Sequence, residues 1–125
     1  MKGNVLIVDD DRAMCDLLDF DLRRRGFVVQ WRNRAEDAFI QVKEADFDVV
    51  LADIHLPGMT GIDLLRAVRS DENLANLPVL MVTAESKREQ IIEAAQAGVN
   101  GYVVKPFTAG TLEEKINKIF ERVAA

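Results

Sequence analysis

Short apolar runs recur along the chain at Val5-Leu6-Ile7-Val8, Phe27-Val28-Val29, Val49-Val50-Leu51-Ala52, Val79-Leu80-Met81-Val82 and Tyr102-Val103-Val104. Most are nearly continuous in apolar character and rich in branched side chains, which is how strands covered on both faces read. The stretches between them carry apolar residues three and four apart, the spacing of one helix face. Met14, Leu17, Leu18 and Leu22 mark a first helix that Gly26 ends. Ala35, Ala38, Phe39 and Val42 mark a second, with Asn33 as its cap. Ile62, Leu65 and Val68 mark a third, after the Pro57-Gly58 turn. Ile91, Ile92, Ala95 and Ala97 mark a fourth, ended by Gly98. Leu112, Ile116, Ile119, Phe120 and Val123 mark a fifth, capped by Thr108. Strands alternating with helices call for right-handed crossovers, so the pattern predicts an α/β fold: an open, doubly wound parallel sheet with helices on both sides. A barrel would need about eight such units and about twice the length.

Composition narrows the class. At 125 residues, 49% apolar and 30% charged, the chain fits one globular domain over residues 1–125 and excludes disorder and collagen-like repeats. The net charge is −5 and the isoelectric point 4.9. With no basic surplus to neutralise phosphates, nucleic-acid binding is not expected. The apolar runs are too short to span a membrane, and the amino end leads directly into a strand-like run without a signal peptide. A single cysteine, Cys15, makes neither an internal disulfide nor a zinc cluster. A cytoplasmic monomer is the expectation.

Chemistry gathers where the strands end. The first ends in Asp9-Asp10-Asp11, the third in Asp53, the fourth in Thr83 and the fifth in Lys105. In a parallel sheet these positions share the carboxyl edge, where open α/β sheets bind ligands. Clustered carboxylates repel one another unless protonated or neutralised by a cation. Mg²⁺ suits such a site, because it takes one or two carboxylates and leaves positions for water and phosphate oxygens. A lysine and a hydroxyl opposite it would hold the remaining oxygens of a phosphoryl group. The site reads as one for phosphoryl transfer, with the Asp53 carboxylate as acceptor. Blander roles fit several residues singly: the acidic run suits a helix start, Thr83 a helix cap, and Arg23-Arg24-Arg25 a solvated helix end. Cys15 reads as a small filler, and Tyr102 as a half-buried aromatic.

Taken in order, Val8-Asp9-Asp10, Leu51-Ala52-Asp53-Ile54-His55-Leu56-Pro57-Gly58-Met59-Thr60-Gly61, Val82-Thr83-Ala84 and Val104-Lys105-Pro106-Phe107 resemble the response-regulator receiver domains over essentially the whole chain. The resemblance implies a flavodoxin-like sheet in the order 2-1-3-4-5. It implies a histidine kinase as phosphodonor, Asp9 and Asp10 serving Mg²⁺ beside Asp53, and a backbone carbonyl of His55 on the metal. Thr83 and Lys105 would bind phosphoryl oxygens, and the Lys105-Pro106 bond would be cis. His55 and Glu85 would tune the phosphoryl lifetime, with the His55 ring bordering the site. Thr83 and Tyr102 would form the switch. The face made by Lys87, Ile91, Ala95, Tyr102, Val104, Lys115 and Lys118 would bind a downstream protein, such as a flagellar switch component.

The second half resembles single-domain chemotaxis regulators of the CheY type, whereas the first half is more similar to receivers of NtrC-type transcriptional activators. A natural regulator of mixed character and a chimaera joined near Gly58 to Leu65 both fit. The leading function is a phosphorylation-dependent switch, not an enzyme, in a two-component system. A receiver of a transcription-regulating phosphorelay is the alternative. A phosphohydrolase of the haloacid-dehalogenase type would need a threonine that Asp9-Asp10-Asp11-Arg12-Ala13 lacks. A flavodoxin-like electron carrier would need a phosphate loop where this chain has acids.

Overall fold

The computed structural model describes residues 2–84 and 88–124, the last two as backbone only. Glu85, Lys87 and the Val123 side chain, named above, lie outside the described residues. Strands and helices alternate: β1 (Asn4–Val8), α1 (Arg12–Arg24), β2 (Val28–Arg32), α2 (Ala35–Glu44), β3 (Val49–Asp53), α3 (Gly61–Ser70), β4 (Val79–Thr83), α4 (Arg88–Gln96), β5 (Gly101–Val104) and α5 (Ala109–Ala124). The strands form one parallel sheet in the order β2-β1-β3-β4-β5. The predicted fold class and strand order both hold.

Successive strand residues point to opposite faces, which divides the core in two. Leu6, Val8, Val50, Ala52, Val79 and Met81 pack on one face against α2, α3 and Ala94 of α4. Val5, Ile7, Val49, Leu51, Leu80, Val82 and Val103 pack on the other against α1 and α5. The fully covered strands β3 and β4 are the ones whose sequences are apolar throughout or nearly so. Strand β5 differs from the expected pattern. It is an edge strand, and Tyr102 (40% exposed) and Val104 (36%) face solvent on the side where α4 contributes only Ala94 to the core.

Two helix faces and one cap also differ from the sequence reading. In α1 the buried stripe is Cys15, Leu18 and Leu22, and Leu17 lies exposed one residue out of phase. Cys15 is therefore the filler it was expected to be. In α4 the inward residue is Ala94, so Ile92 and Ala95 face solvent and Ile91 is half-buried. The residue before α2 is Arg34, which makes no side-chain cap, and Asn33 instead donates from Nδ2 to the Asp9 carbonyl at 3.1 Å. Thr108 does cap α5, its Oγ1 accepting from the Thr111 amide at 3.1 Å.

Arginines serve as fasteners. Residues 28, 30 and 32 of β2 bond towards β1, which leaves the carbonyls of Val29 and Trp31 on the outer edge. Arg23 donates to Val29 O at 2.6 Å and Arg32 to Trp31 O at 2.7 Å. Arg23 also pairs with Asp19, and Arg25 with Glu113. Arg23 and Arg25 are partly exposed, as a solvated helix end implies, and they also tie α1 to β2 and to α5.

Arg69, at the end of α3, donates from Nη1 to Leu77 O (2.6 Å), from Nε to Gly98 O (2.9 Å) and from Nη2 to Asn100 Oδ1 (2.8 Å). The same Asn100 oxygen accepts from the Val79 amide at 2.8 Å, so one side chain joins α3, the start of β4 and the turn after α4. Arg69→Leu retains an apolar stem but strands these acceptors. It is expected to cost about 2 kcal/mol, read as a lower urea midpoint at unchanged slope; an unchanged midpoint would contradict the fastening role.

Candidate functional site

The strand ends converge as the topology requires. Asp53 pairs in register with Val82, and Thr83 with Val104, so Asp53, Thr83 and Lys105 reach the carboxyl edge together with Asp9. Asp9, Asp53 and Thr83 are the buried polar residues there, at 3%, 8% and 1% exposure. The Thr83 carbonyl accepts from the Lys105 amide at 2.7 Å. Lys105 enters the site ahead of a cis bond to Pro106.

The centre of the site is a shared ammonium. Lys105 Nζ donates to Asp9 Oδ2 at 2.9 Å and to Asp53 Oδ2 at 3.0 Å. Each carboxylate places its second oxygen on a backbone amide: Asp9 Oδ1 accepts from Asp11 N at 2.9 Å, and Asp53 Oδ1 from His55 N at 3.0 Å. Asp11 is the N-cap of α1, accepting from Met14 N at 3.2 Å, so the helix-start reading applies to that acid. Asp10 is exposed and carries no ion pair among the described residues. Carboxylate oxygens of Asp9, Asp10 and Asp53 lie within 4.8 Å of one another, an acidic pocket that can hold a metal ion. Three hard oxygen donors against one ammonium leave uncompensated negative charge, the condition under which a divalent cation binds.

Electrostatics follow from this crowding. Burial raises the Asp9 carboxyl above its ordinary range, more than the bonds from Lys105 and the Asp11 amide lower it. Burial alone would depress the Lys105 ammonium, but its bonds to Asp9 and Asp53 outweigh that and hold it above the usual lysine value. Cys15 donates from Sγ to the Asp9 carbonyl at 3.4 Å, and burial beside Asp9 pushes its thiol up to about 12. It is an inert part of the wall.

Close backbone approach shapes the floor. A Cβ on Gly61 would stand 2.1 Å from the Asp53 carbonyl oxygen, so only glycine fits there. Its amide bonds Ile54 O at 3.1 Å, and Thr60 with Asp63 closes a capping box that starts α3 at this point. The His55 side chain is exposed, with Nε2 at 3.2 Å from Nε2 of Gln90 on α4. Ala95, Tyr102, Val104, Lys115 and Lys118 are exposed and Ile91 is half-buried, all on α4, β5 and α5. Sequence reasoning missed Asn33, which grips Asp9 from the end of β2. Strand-end logic applied to β2 as to the other strands would have found it. Gln90 carries no local signal.

This sheet, switch-point pocket and carboxylate pair define a receiver. The family model described as the response regulator receiver domain matches residues 5–117, and the chain belongs to that family. It is a phosphorylation-dependent signalling switch of a two-component system. Among relatives, it is 60% identical over 124 residues to the chemotaxis protein CheY of Pseudomonas aeruginosa, covering 95% of this chain and 97% of that one. It is 58% identical over 120 residues to the chemotaxis protein CheY-3 of Vibrio cholerae, covering 95% and 92%. Both alignments run across Gly58 to Leu65 and take in both halves of the chain. Solved structures agree: Vibrio cholerae CheY4 superposes with a TM-score of 0.89 at 31% identity (94% and 98% covered). The receiver domain of a Francisella response regulator superposes at 0.88 and 26% (97% and 98% covered). No helix among the described residues is long and apolar enough to cross a membrane.

Because burial holds Asp9 above its ordinary range, the fold disfavours its charge, and stability is lost as pH rises through that raised value. Asp9→Asn is therefore expected to raise the urea midpoint at neutral pH without divalent ions; a lower midpoint would show that the Lys105 pair outweighs desolvation. Gly61→Ala forces the Asp53 backbone to move and is expected to cost about 1–3 kcal/mol. Calorimetry of the variant checks it, and a melting curve matching the parent's would refute the close approach.

Proposed function

We propose that Asp53 is the phosphoacceptor of this switch. The observation that carries the reading is its carboxylate: nearly buried at the carboxyl edge of the sheet, fixed by the His55 amide on one oxygen and by Lys105 on the other. Such fixing orients the nucleophile before the donor arrives. An Asp53 oxygen attacks the phosphorus of a phosphohistidine on the kinase. The P–N bond breaks, and its electron pair stays on the departing imidazole. Lys105, already on Asp53, is placed to follow the negative charge onto the phosphoryl oxygens.

The donor set fits Mg²⁺, with Asp9, Asp10, Asp53 and the His55 carbonyl as its holders. When bound, Mg²⁺ supplies the positive charge that lets carboxylates and phosphoryl oxygens share the pocket. Thr83 then donates its hydroxyl to a phosphoryl oxygen, and Tyr102 responds from the neighbouring strand. Ile91, Ala95, Tyr102, Val104, Lys115 and Lys118 form the surface that a downstream protein reads. The likeness to chemotaxis proteins supports a flagellar switch component as that protein. His55 and Glu85 set the lifetime of the acyl phosphate. The chain acts as a switch and not on an external substrate, residues 1–125 form one receiver domain, and the setting is the cytoplasm.

Acetyl phosphate with Mg²⁺ should add a single phosphoryl group, seen by intact mass. Asp53→Asn should abolish the adduct, and Asp10→Asn should raise the Mg²⁺ concentration needed for it. His55→Asn should change the decay rate several-fold. Stoichiometric labelling of Asp53→Asn would sink the assignment.

A further inference from the structure

Helix α4 is fastened unlike the others. It runs nine residues and buries one side chain, Ala94. An alanine removes little apolar area from water, so packing alone holds this helix weakly. Its polar ties therefore count for more than usual. One is Arg66 Nη2 to Glu93 Oε1 at 3.0 Å, between exposed side chains, where an ion pair contributes little. Others lie beyond its carboxyl end, through Arg69 to Gly98 and Asn100. Towards its amino end, among the described residues, the tie is Gln90.

Gln90 places Nε2 at 3.2 Å from Nε2 of His55, while its Oε1 is buried and has no hydrogen-bond partner among the described residues. Desolvating an amide oxygen without a partner is costly, so the side chain is retained in this position by something other than its own solvation. An amide can serve an imidazole in either tautomer. Its NH₂ donates to a bare Nε2, and turned over, its carbonyl accepts from Nε2–H. The buried oxygen is then the partner the second arrangement requires.

His55 is also tied at its other end, its amide donating to Asp53 Oδ1 at 3.0 Å. Two hydrogen bonds through a single residue thus join the acceptor carboxylate to α4. A carboxylate oxygen is a strong, charged acceptor, and an esterified aspartate is a weaker one. A group bonded to Asp53 therefore loosens the amide that positions His55, and with it the ring that Gln90 holds.

We propose that Gln90 is a positioning residue: by clasping the His55 ring it ties the amino end of α4 to the backbone amide that holds Asp53, so that occupancy of Asp53 and the seating of α4 are coupled through this contact. The inference rests on Asp53 being the acceptor. Such coupling is reciprocal, so releasing the clasp must ease binding at Asp53 as binding at Asp53 eases release of the clasp.

The test uses beryllofluoride, which mimics a phosphoryl group on Asp53, at fixed Mg²⁺ with the whole chain. Gln90→Met keeps the length of the side chain and deletes both hydrogen-bonding atoms. It should tighten beryllofluoride binding by about fivefold or more and speed amide exchange in α4 relative to α5. In a His55→Ala background the same substitution should add nothing, a non-additivity that a general loss of stability would not produce. Equal beryllofluoride affinity in Gln90→Met and the parent, or additive effects of the two substitutions, overturns the clasp. A parent that binds no beryllofluoride overturns the Asp53 reading and the clasp with it, whereas a parent that binds while the variants stay silent overturns the clasp alone.

Discussion

Two carboxylates share one ammonium in a place that water barely reaches, and the architecture is arranged around holding them there. Burying a charge is costly unless it is paired and hydrogen-bonded. Asp9 and Asp53 each have Lys105 on one oxygen and a backbone amide on the other, which offsets that cost, though at Asp9 burial still outweighs it. The three residues come from three strands that pair side by side or nearly so, and only a parallel order brings their ends to one edge. The asparagine after β2 and the thiol of α1 complete the hold by bonding the Asp9 carbonyl. Lys105 balances the pair only in part, and that residual charge makes the pocket receptive to a cation and to phosphoryl chemistry.

Much of this was legible in the chain. Central strands of a parallel sheet are covered on both faces, so Val5–Val8, Val49–Ala52 and Val79–Val82 announce themselves as apolar runs, and the polar residue that stops each run lies at the functional edge. What escaped notice has physical causes. Leu17 and Leu18 are neighbouring apolar residues about 100° apart around the helix, and an apolar pattern alone does not decide which of the two faces inward. At an edge strand such as β5, sequence shows apolar character while topology exposes one side. Asn33, Arg69 and Gln90 act through polar contacts to segments 24, 31 and 35 residues away, respectively. Such contacts leave no periodic trace.

Family membership and geometry answer different questions. The similarity to chemotaxis proteins extends over both halves of the chain, including the first, whose acidic loop and Ile54-His55-Leu56-Pro57 segment resemble activator-type receivers. That departure falls at the site itself. A histidine two residues past Asp53 offers a ring that reaches across to α4, so the unusual segment is also the one that touches the helix with the thinnest apolar anchor. Local sequence character here alters how the site is wired to the surface without altering the fold that carries it.

The guanidinium groups of Arg23 and Arg32 sit on the outward carbonyls of β2. A free strand edge is a template on which another chain can add its own strand, the first step towards sheet extension and aggregation. Here an incoming backbone would have to displace two charged donors and leave them in a partly desolvated position before gaining its own bonds. The edge is closed electrically rather than sterically, without a covering helix or an added loop. Strand addition is therefore disfavoured at β2, the sheet edge opposite the β5 side on which Tyr102 and Val104 lie exposed.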